Sequence, residues 1–423
     1  MSFPKYPAYK DSGVEWLGEV PAHWDVVALK RLVSMRSGDA ITADSIDEIG
    51  NYPVYGGNGL RGFTNAFTHD GLFALIGRQG ALCGNINYAE GRFWASEHAV
   101  VVTPHVFVQV RWLGELLRAM NLGQYSVAAA QPGLAVEIIG NLRIPLPAAE
   151  EQSAIATFLD RETAKIDALV AEQEKLIALL KEKRQALISH AVTKGLDPSV
   201  PMKDSGVEWL GQVPAHWGVL ALKRLTPSMT VGIVINPSDY VSQEGLPFIY
   251  GGDIREGTID YENARRITVD DSARQSKTYL RAGDLLTVRV GAPGVTAVVP
   301  PECEGGNCAS VMLIRKGHFD SDWLCYLMNS KVVRYQVEVV QYGAAQEQFN
   351  ISHAVEFKAL VPPLAEQQAI AQYLRTEVDR IERLADMAGE AVLLLQERRS
   401  ALISAAVTGQ IDVRGHVLAR EGP

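Results

Sequence analysis

Cysteine is scarce in this chain: Cys83, Cys303, Cys308 and Cys325 are the only 4 among 423 residues. They are too few and too scattered to frame a disulfide scaffold. Cys303 and Cys308 have no second closely spaced Cys or His pair to complete a zinc site, so they read as buried thiols and no metal is expected. Long apolar runs are missing as well. No uninterrupted stretch reaches membrane-spanning length, and Met-Ser-Phe-Pro-Lys-Tyr-Pro at the start lacks the basic-then-apolar order of a signal peptide. A cytoplasmic protein with no membrane partner is the expectation. Positive charge is in deficit: 40 Lys and Arg stand against 49 Asp and Glu, a net −9. The deficit is spread over the whole chain, with no basic tail. Gripping a nucleic acid mainly by neutralising phosphates is therefore disfavoured, and any DNA contact has to come from local arginines or from a partner.

Catalytic motifs are also absent. There is no phosphate-binding loop ending in Gly-Lys-Ser/Thr, no His-Glu-x-x-His and no Asn-Pro-Pro-Tyr of an amino-methyltransferase. Gly57-Asn58-Gly59-Leu60-Arg61-Gly62 fits G-x-G-x-x-G, but Phe63-Thr64-Asn65 and a turn follow it rather than a helix that could aim amides at a phosphate. Nothing assembles a nucleophile, a base and an orienting group. The expectation is a chain that is not itself an enzyme.

What the chain does hold is one long helical pattern, written twice. Glu151-Gln152 recurs as Glu366-Gln367 and Ala186-Leu187-Ile188-Ser189 as Ala401-Leu402-Ile403-Ser404, at one constant offset without a gap. In the first copy Ile155, Leu159, Ile166, Leu169, Leu176, Leu180 and Leu187 fall at steps near three and four; Ile370, Leu374, Ile381, Leu384, Val392, Leu395 and Leu402 repeat the face. That is a coiled-coil seam with polar interruptions. Pro147 and Pro362 suit a first helical turn, Glu150, Glu151 and Glu366 suit the positive end of the dipole, and Gly195 and Gly409 close the ends. At 1.5 Å per residue each run would be roughly 65 Å long.

The globular regions are duplicated too. Lys10 to Leu32, containing Gly-Val-Glu-Trp-Leu-Gly-Glu-Val-Pro-Ala-His-Trp, recurs from Lys203 to Leu225 with three changes. Trp16, Trp24, Trp209 and Trp217 could stack on bases, but beside Leu, Val and Pro they read as packing anchors. His23 and His216 lack a metal-ligand neighbour and read as structural. Further on, the copies meet only at islands: Tyr55-Gly56-Gly57-Asn58 with Tyr250-Gly251-Gly252-Asp253, Arg78-Gln79-Gly80-Ala81 with Arg289-Val290-Gly291-Ala292, and Ala129-Ala130-Gln131 with Ala344-Ala345-Gln346. Phe73 to Ile76 and Leu285 to Val290 read as strands, Trp112 to Leu122 and Ser321 to Asn329 as short helices. A common scaffold with divergent loops is the pattern of a recognition module.

These features resemble the specificity subunit of type I restriction-modification systems. The repeated opening at Gly13 and Gly206 and the Pro-x-x-x-Glu-Gln helix entries carry the resemblance, which covers essentially the whole chain. It implies an α+β chain with target-recognition domains at 1–146 and 201–361 and helical spacers at 147–200 and 362–423. Each domain would read one half of a split double-stranded DNA site while the helices act as a ruler. Two methyltransferase subunits, and restriction subunits in the full complex, would be the partners. The chain itself would hold no cofactor, S-adenosylmethionine being bound by the methyltransferase subunit.

Tandem copies that bury the same helical face pack most simply about a pseudo-two-fold axis, which makes the long helices antiparallel and the readers inverted, as two half-sites on opposite strands require. Because the loops differ, the whole site should be asymmetric. Arg can grip a guanine edge and Asn or Gln an adenine edge, so the candidate DNA contacts are Asn58, Arg61, Asn65, Arg78 and Gln79 in the first domain and Arg255, Arg265, Arg266, Arg274 and Arg289 in the second. Arg78 and Arg289, shared by both copies, suit phosphate or scaffold better than the reading of different bases. Other readings stay open: a subunit of a methylation-only complex, a coiled-coil scaffold that does not bind DNA, or an enzyme with an unrecognised site.

Overall fold

The structure, a computed structural model, describes residues 3–80, 82–126, 133–342 and 350–417. Ala81 and the islands Ala129-Ala130-Gln131 and Ala344-Ala345-Gln346 lie outside these. The chain divides into two compact units, Met1–Glu174 with Gly389–Pro423, and Lys175–Ala388. Both boundaries fall inside the long helices, which run Ala149–Lys194 and Leu364–Val407.

In the first unit a four-stranded antiparallel sheet has the order Val33–Ser37, Ala99–Pro104, Phe73–Gly77, Ile86–Ala89. Its two central strands are nearly continuous apolar runs because both their faces are covered. A second sheet orders Gly59–Thr64, Tyr52–Gly56, Arg92–Ala95, His69–Asp70, with Arg92–Ala95 parallel to Tyr52–Gly56. Helix Val110–Ala119 starts where the Gln109 side chain accepts from the amides of Arg111 and Trp112, and turns Trp112, Leu113, Leu116 and Leu117 inward. The strand Arg143–Leu146 leads into the long helix after pairing with Asp25–Ala28.

The second unit repeats this plan where its sequence no longer does. Met229–Val231, Met312–Ile314, Leu285–Thr287 and Thr296–Val298 form the four-stranded sheet; Leu246–Ile249 pairs in parallel with Asn307–Cys308 and antiparallel with Arg265–Ile267. The expected strand ending at Val290 stops at Thr287, and the expected helix Trp112 to Leu122 is observed at Val110–Ala119.

Each core includes parts of both long helices. Ile155, Phe158 and Leu159 share the first core with Ile403, Ala406 and Val407, and Asp167 pairs with Arg399 at 2.8 Å. In the second core Ile188, Ala191 and Val192 lie with Ile370 and Leu374, and Arg184 meets Glu382 at 2.9 Å. The helical segments are thus antiparallel within each unit. The buried face differs from the one expected at mid-helix. Leu169, Leu176 and Leu384 are all more than 40% exposed, while Val170, Gln173 and Ile177 are half-buried and Leu180, Val378, Ile381 and Ala388 are buried. A helix of 3.6 residues per turn drifts against a repeat of 3.5, so a stripe counted from one end slips off the seam by the middle. Pro147 and Pro362 precede the helices rather than sitting in their first turns.

The prolines serve the duplicated Glu-Gln instead. Gln152 Nε2 donates to Pro147 O at 3.0 Å while its Oε1 accepts from Gln109 N at 3.0 Å. Gln367 Nε2 donates to Pro362 O at 2.9 Å and its Oε1 accepts from Asp320 N at 2.9 Å. One buried amide therefore ties each long helix to the start of a helix of its own domain. Its neighbour Glu151 meets His23 at 3.0 Å, and Glu366 meets His216 at 2.8 Å. Those contacts account for the repeated histidines.

Candidate nucleic-acid interface

Strand register collects four loops at one end of each unit. In the first, the parallel strands Tyr52–Gly56 and Arg92–Ala95 leave their sheet in the same direction, and Ser96 N donates to Tyr55 O at 2.9 Å. Val33–Ser37 ends there, with Gly38 N on Ala99 O at 3.0 Å and Asp39 N on Ala95 O at 2.9 Å. Phe73–Gly77, antiparallel to Ala99–Pro104, delivers Arg78 N to His98 O at 2.9 Å. The contacts leave no room for side chains: a Cβ on Gly38 would lie 2.1 Å from Ala95 O, and one on Gly77 2.4 Å from Gly57 O.

The second unit closes the same way. Ala309 N donates to Ile249 O at 2.9 Å, Gly232 N to Val311 O at 2.8 Å and Ile233 N to Cys308 O at 2.8 Å. A Cβ on Gly232 would meet Cys308 O at 2.5 Å. Loops 38–41, 57–58, 78–79 and 96–98 of the first unit therefore correspond to 232–236, 251–253, 288–291 and 309–311 of the second. Backbone packing holds the frame, and the side chains it presents are free to differ.

The candidate residues divide between this end and elsewhere. Asn58, Arg78 and Gln79 are exposed on neighbouring loops of it. Asn85 Nδ2 reaches Asn58 Oδ1 at 3.5 Å, and Arg78 Nη1 donates to Ser37 Oγ at 3.0 Å. Arg61 is also exposed and lays its aliphatic stem against Gly56, just before the turn. Asn65 lies at the far end of that hairpin, accepting from Asn51 at 3.0 Å. In the second unit Arg289 bonds Asn350 Oδ1 at 3.1 Å, and Arg255 follows the Gly251–Asp253 turn. Arg265 covers the Tyr250 ring at 4.3 Å, which brings it toward the turn. Arg266 donates to Glu262 O at 3.0 Å, and Arg274, at the end of helix Val269–Arg274, pairs with Asp271 at 3.1 Å past the opposite end of strand Arg265–Ile267. The G-x-G-x-x-G stretch is a hairpin turn and strand, with no helix behind it.

Other chemistry is thin. Among the described residues no group of three or more His, Cys, Asp or Glu could hold a metal ion, and no helix is long and apolar enough to cross a membrane. Cys303, Cys308 and Cys325 are buried, and burial pushes the last two thiols up to about 12. Cys83 is only half-buried.

Residues 21–178 match the type I restriction modification DNA specificity domain. The EcoprrI specificity subunit of Escherichia coli is 45% identical over 137 residues, 31% of this chain and 34% of that protein. Over that part the chain is similar to the type I restriction-modification specificity subunits. A putative specificity subunit of Haemophilus influenzae, S.HindORF215P, is 24% identical over 355 residues, 82% of this chain and 85% of its own. Thus the match spans about a third of the first relative's length and most of the other's. A solved structure described under complex assembly and conformational transition of the type I R-M system superposes with a TM-score of 0.64 at 19% identity, covering 92% of this chain and 98% of that one. The HsdS subunit from Thermoanaerobacter tengcongensis gives 0.50 at 16%, with the same coverage. At such identities the agreement is one of fold.

Sequence reading passed over several residues that the chain presents at its loop ends: Asp39, Glu97 and His98 in the first unit, Val234, Ile235 and Ser310 in the second. Gly38 and Gly232 were the available signal, since they stand at nearly the offset of the repeated opening. Of the tryptophans, Trp24 and Trp217 are fully buried anchors, Trp16 is half-buried, and Trp209 is 39% exposed against Tyr335 at 5.3 Å between ring centroids.

Proposed function

We propose that the chain is the non-catalytic DNA-specificity subunit of a type I restriction-modification complex, each globular domain reading one half of a bipartite, asymmetric double-stranded site. The observation that carries this is the pair of loop ends: the two globular domains of the chain hold corresponding loops on the same backbone frame and equip them with different side chains. Asn58, Arg61, Arg78 and Gln79 in one, and Arg255, Arg265 and Arg289 in the other, supply groups suited to base edges and phosphates. The net −9 charge fits a reader whose affinity is shared with a partner. Methyltransferase subunits would hold S-adenosylmethionine and transfer the methyl group, and restriction subunits would join through them. The long helices would set the distance between half-sites and dock the methyltransferase subunits.

The deciding experiment replaces residues 1–146 by the matching region of another specificity subunit and sequences the methylome of cells carrying the complex. One half-site should change and the other stay. Loss of both halves, or methylation by the purified single chain, would reject this function.

A further inference from the structure

The loop leaving Met229–Val231 is pinned at both ends. Ile233 and Tyr240 join the cluster of Phe248, Ile267 and Ala309; Ser310 N donates to Ile233 O at 3.1 Å, and Gln275 Nε2 to Tyr240 Oη at 2.9 Å. Between these anchors Val234 and Ile235 are 56% and 78% exposed. Asn236 follows in the left-handed region at φ 44, with Pro237 after it and Asp239 N closing the turn on Asn236 O at 3.0 Å. Asn tolerates that conformation better than other non-glycine residues because its short polar side chain can hydrogen-bond locally, and both branched side chains before it stay out of the core. Their exposure is built in. The corresponding tip of the first unit is different: Asp39 O accepts from Trp94 Nε1 at 3.2 Å and Ile41 is half-buried. The apolar tip thus belongs to the second unit alone, at the loop end that also carries Asp253, Arg289 and Ser310.

We propose that Val234 and Ile235 read the C5-methyl group of a thymine in the half-site recognised by the second unit, an inference that rests on the DNA-reading function proposed above. Val234 and Ile235 themselves offer a base edge no hydrogen bond, and the thymine methyl is the apolar group that the major groove displays. The neighbouring polar residues exclude an extended apolar partner surface, while a single methyl group matches two small side chains. Specificity at that base pair comes from contact area, so it is modest and sensitive to one carbon.

The test uses the full chain assembled with its modification subunits and duplexes in which each thymine of that half-site is replaced singly by deoxyuridine. At one position the loss of the methyl weakens binding about fourfold, the effect of one buried carbon. Ile235→Ser binds thymine about as weakly as the wild type binds deoxyuridine, no longer distinguishes the two, and keeps its thermal midpoint because the side chain is exposed. Wild-type binding indifferent to deoxyuridine at every position, or a half-site without thymine, overturns the proposal and leaves DNA reading intact. A complex with no sequence preference at all rejects the DNA-reading function itself.

Discussion

A buried side-chain amide does the same task twice in this chain. Gln152 and Gln367 are each 2% exposed and bridge a proline carbonyl to a backbone amide of the domain in front. Removing the amide leaves a buried donor and a buried acceptor without partners, each costing about 1–3 kcal/mol. Gln367→Ala should therefore lower the unfolding free energy by about 2–4 kcal/mol, seen as a lower urea midpoint. Gln367→Glu keeps the volume but loses the donor to Pro362 O and should fall at least as far. An unchanged midpoint in both variants would mean that the linkage contributes nothing. The Glu-Gln pair was legible in the sequence as a repeated motif, but its role was not, because Asp320 and Pro362 come to it only through packing.

At the scale of the element, the long helices separate a buried seam from an outward apolar row. Ile381 is buried, whereas Leu384, one turn on, is exposed. Ile381→Ala should cost about 2–5 kcal/mol and Leu384→Ala less than about 0.5 kcal/mol; similar costs in chemical denaturation would contradict the seam described here. Leu176, Leu179, Leu384 and Met387 are exposed on the helical segments of the second unit, and isolated solvated helices gain nothing from such residues. As contacts for a methyltransferase subunit they gain burial on assembly. Met387→Glu with Leu384→Glu should leave the thermal midpoint of the chain unchanged and abolish co-purification of that subunit. Retention of the subunit at wild-type ratio would place docking elsewhere. Existence, length and ends of both helices were readable from the repeat; the face was misread at mid-helix because periodic counting takes no account of drift.

For the whole molecule the proposal is a measuring device, and the boundaries of the compact units fall within the helices, between Glu174 and Lys175 and between Ala388 and Gly389. Four residues added after Gln173 and four after Ala388 lengthen each helix by about 6 Å and rotate the seam by only about 40°. DNA rises about 3.4 Å per base pair along each strand. The methylome should show both half-sites unchanged and a spacer longer by one or two base pairs. Two added residues, turning the seam by about 200°, should abolish assembly. An active complex that keeps its original spacer would refute the ruler.

The sequence by itself determined the duplication, the two long helices and the buried tryptophans Trp24 and Trp217, because each is written in local composition or in a repeat at constant offset. Tertiary structure alone decided which candidates stand together. Asn58 and Arg78 stand on neighbouring loops because strand Tyr52–Gly56 is parallel to Arg92–Ala95 and strand Phe73–Gly77 antiparallel to Ala99–Pro104; Asn65, past the far end of strand Gly59–Thr64, and Arg274, in the helix Val269–Arg274, fall elsewhere. Hydrogen-bond register between segments distant in sequence leaves no mark in local periodicity. For the same reason Val234 and Ile235 show their outward aim only once Ile233 is seated on Cys308 and Asn236 has turned the chain.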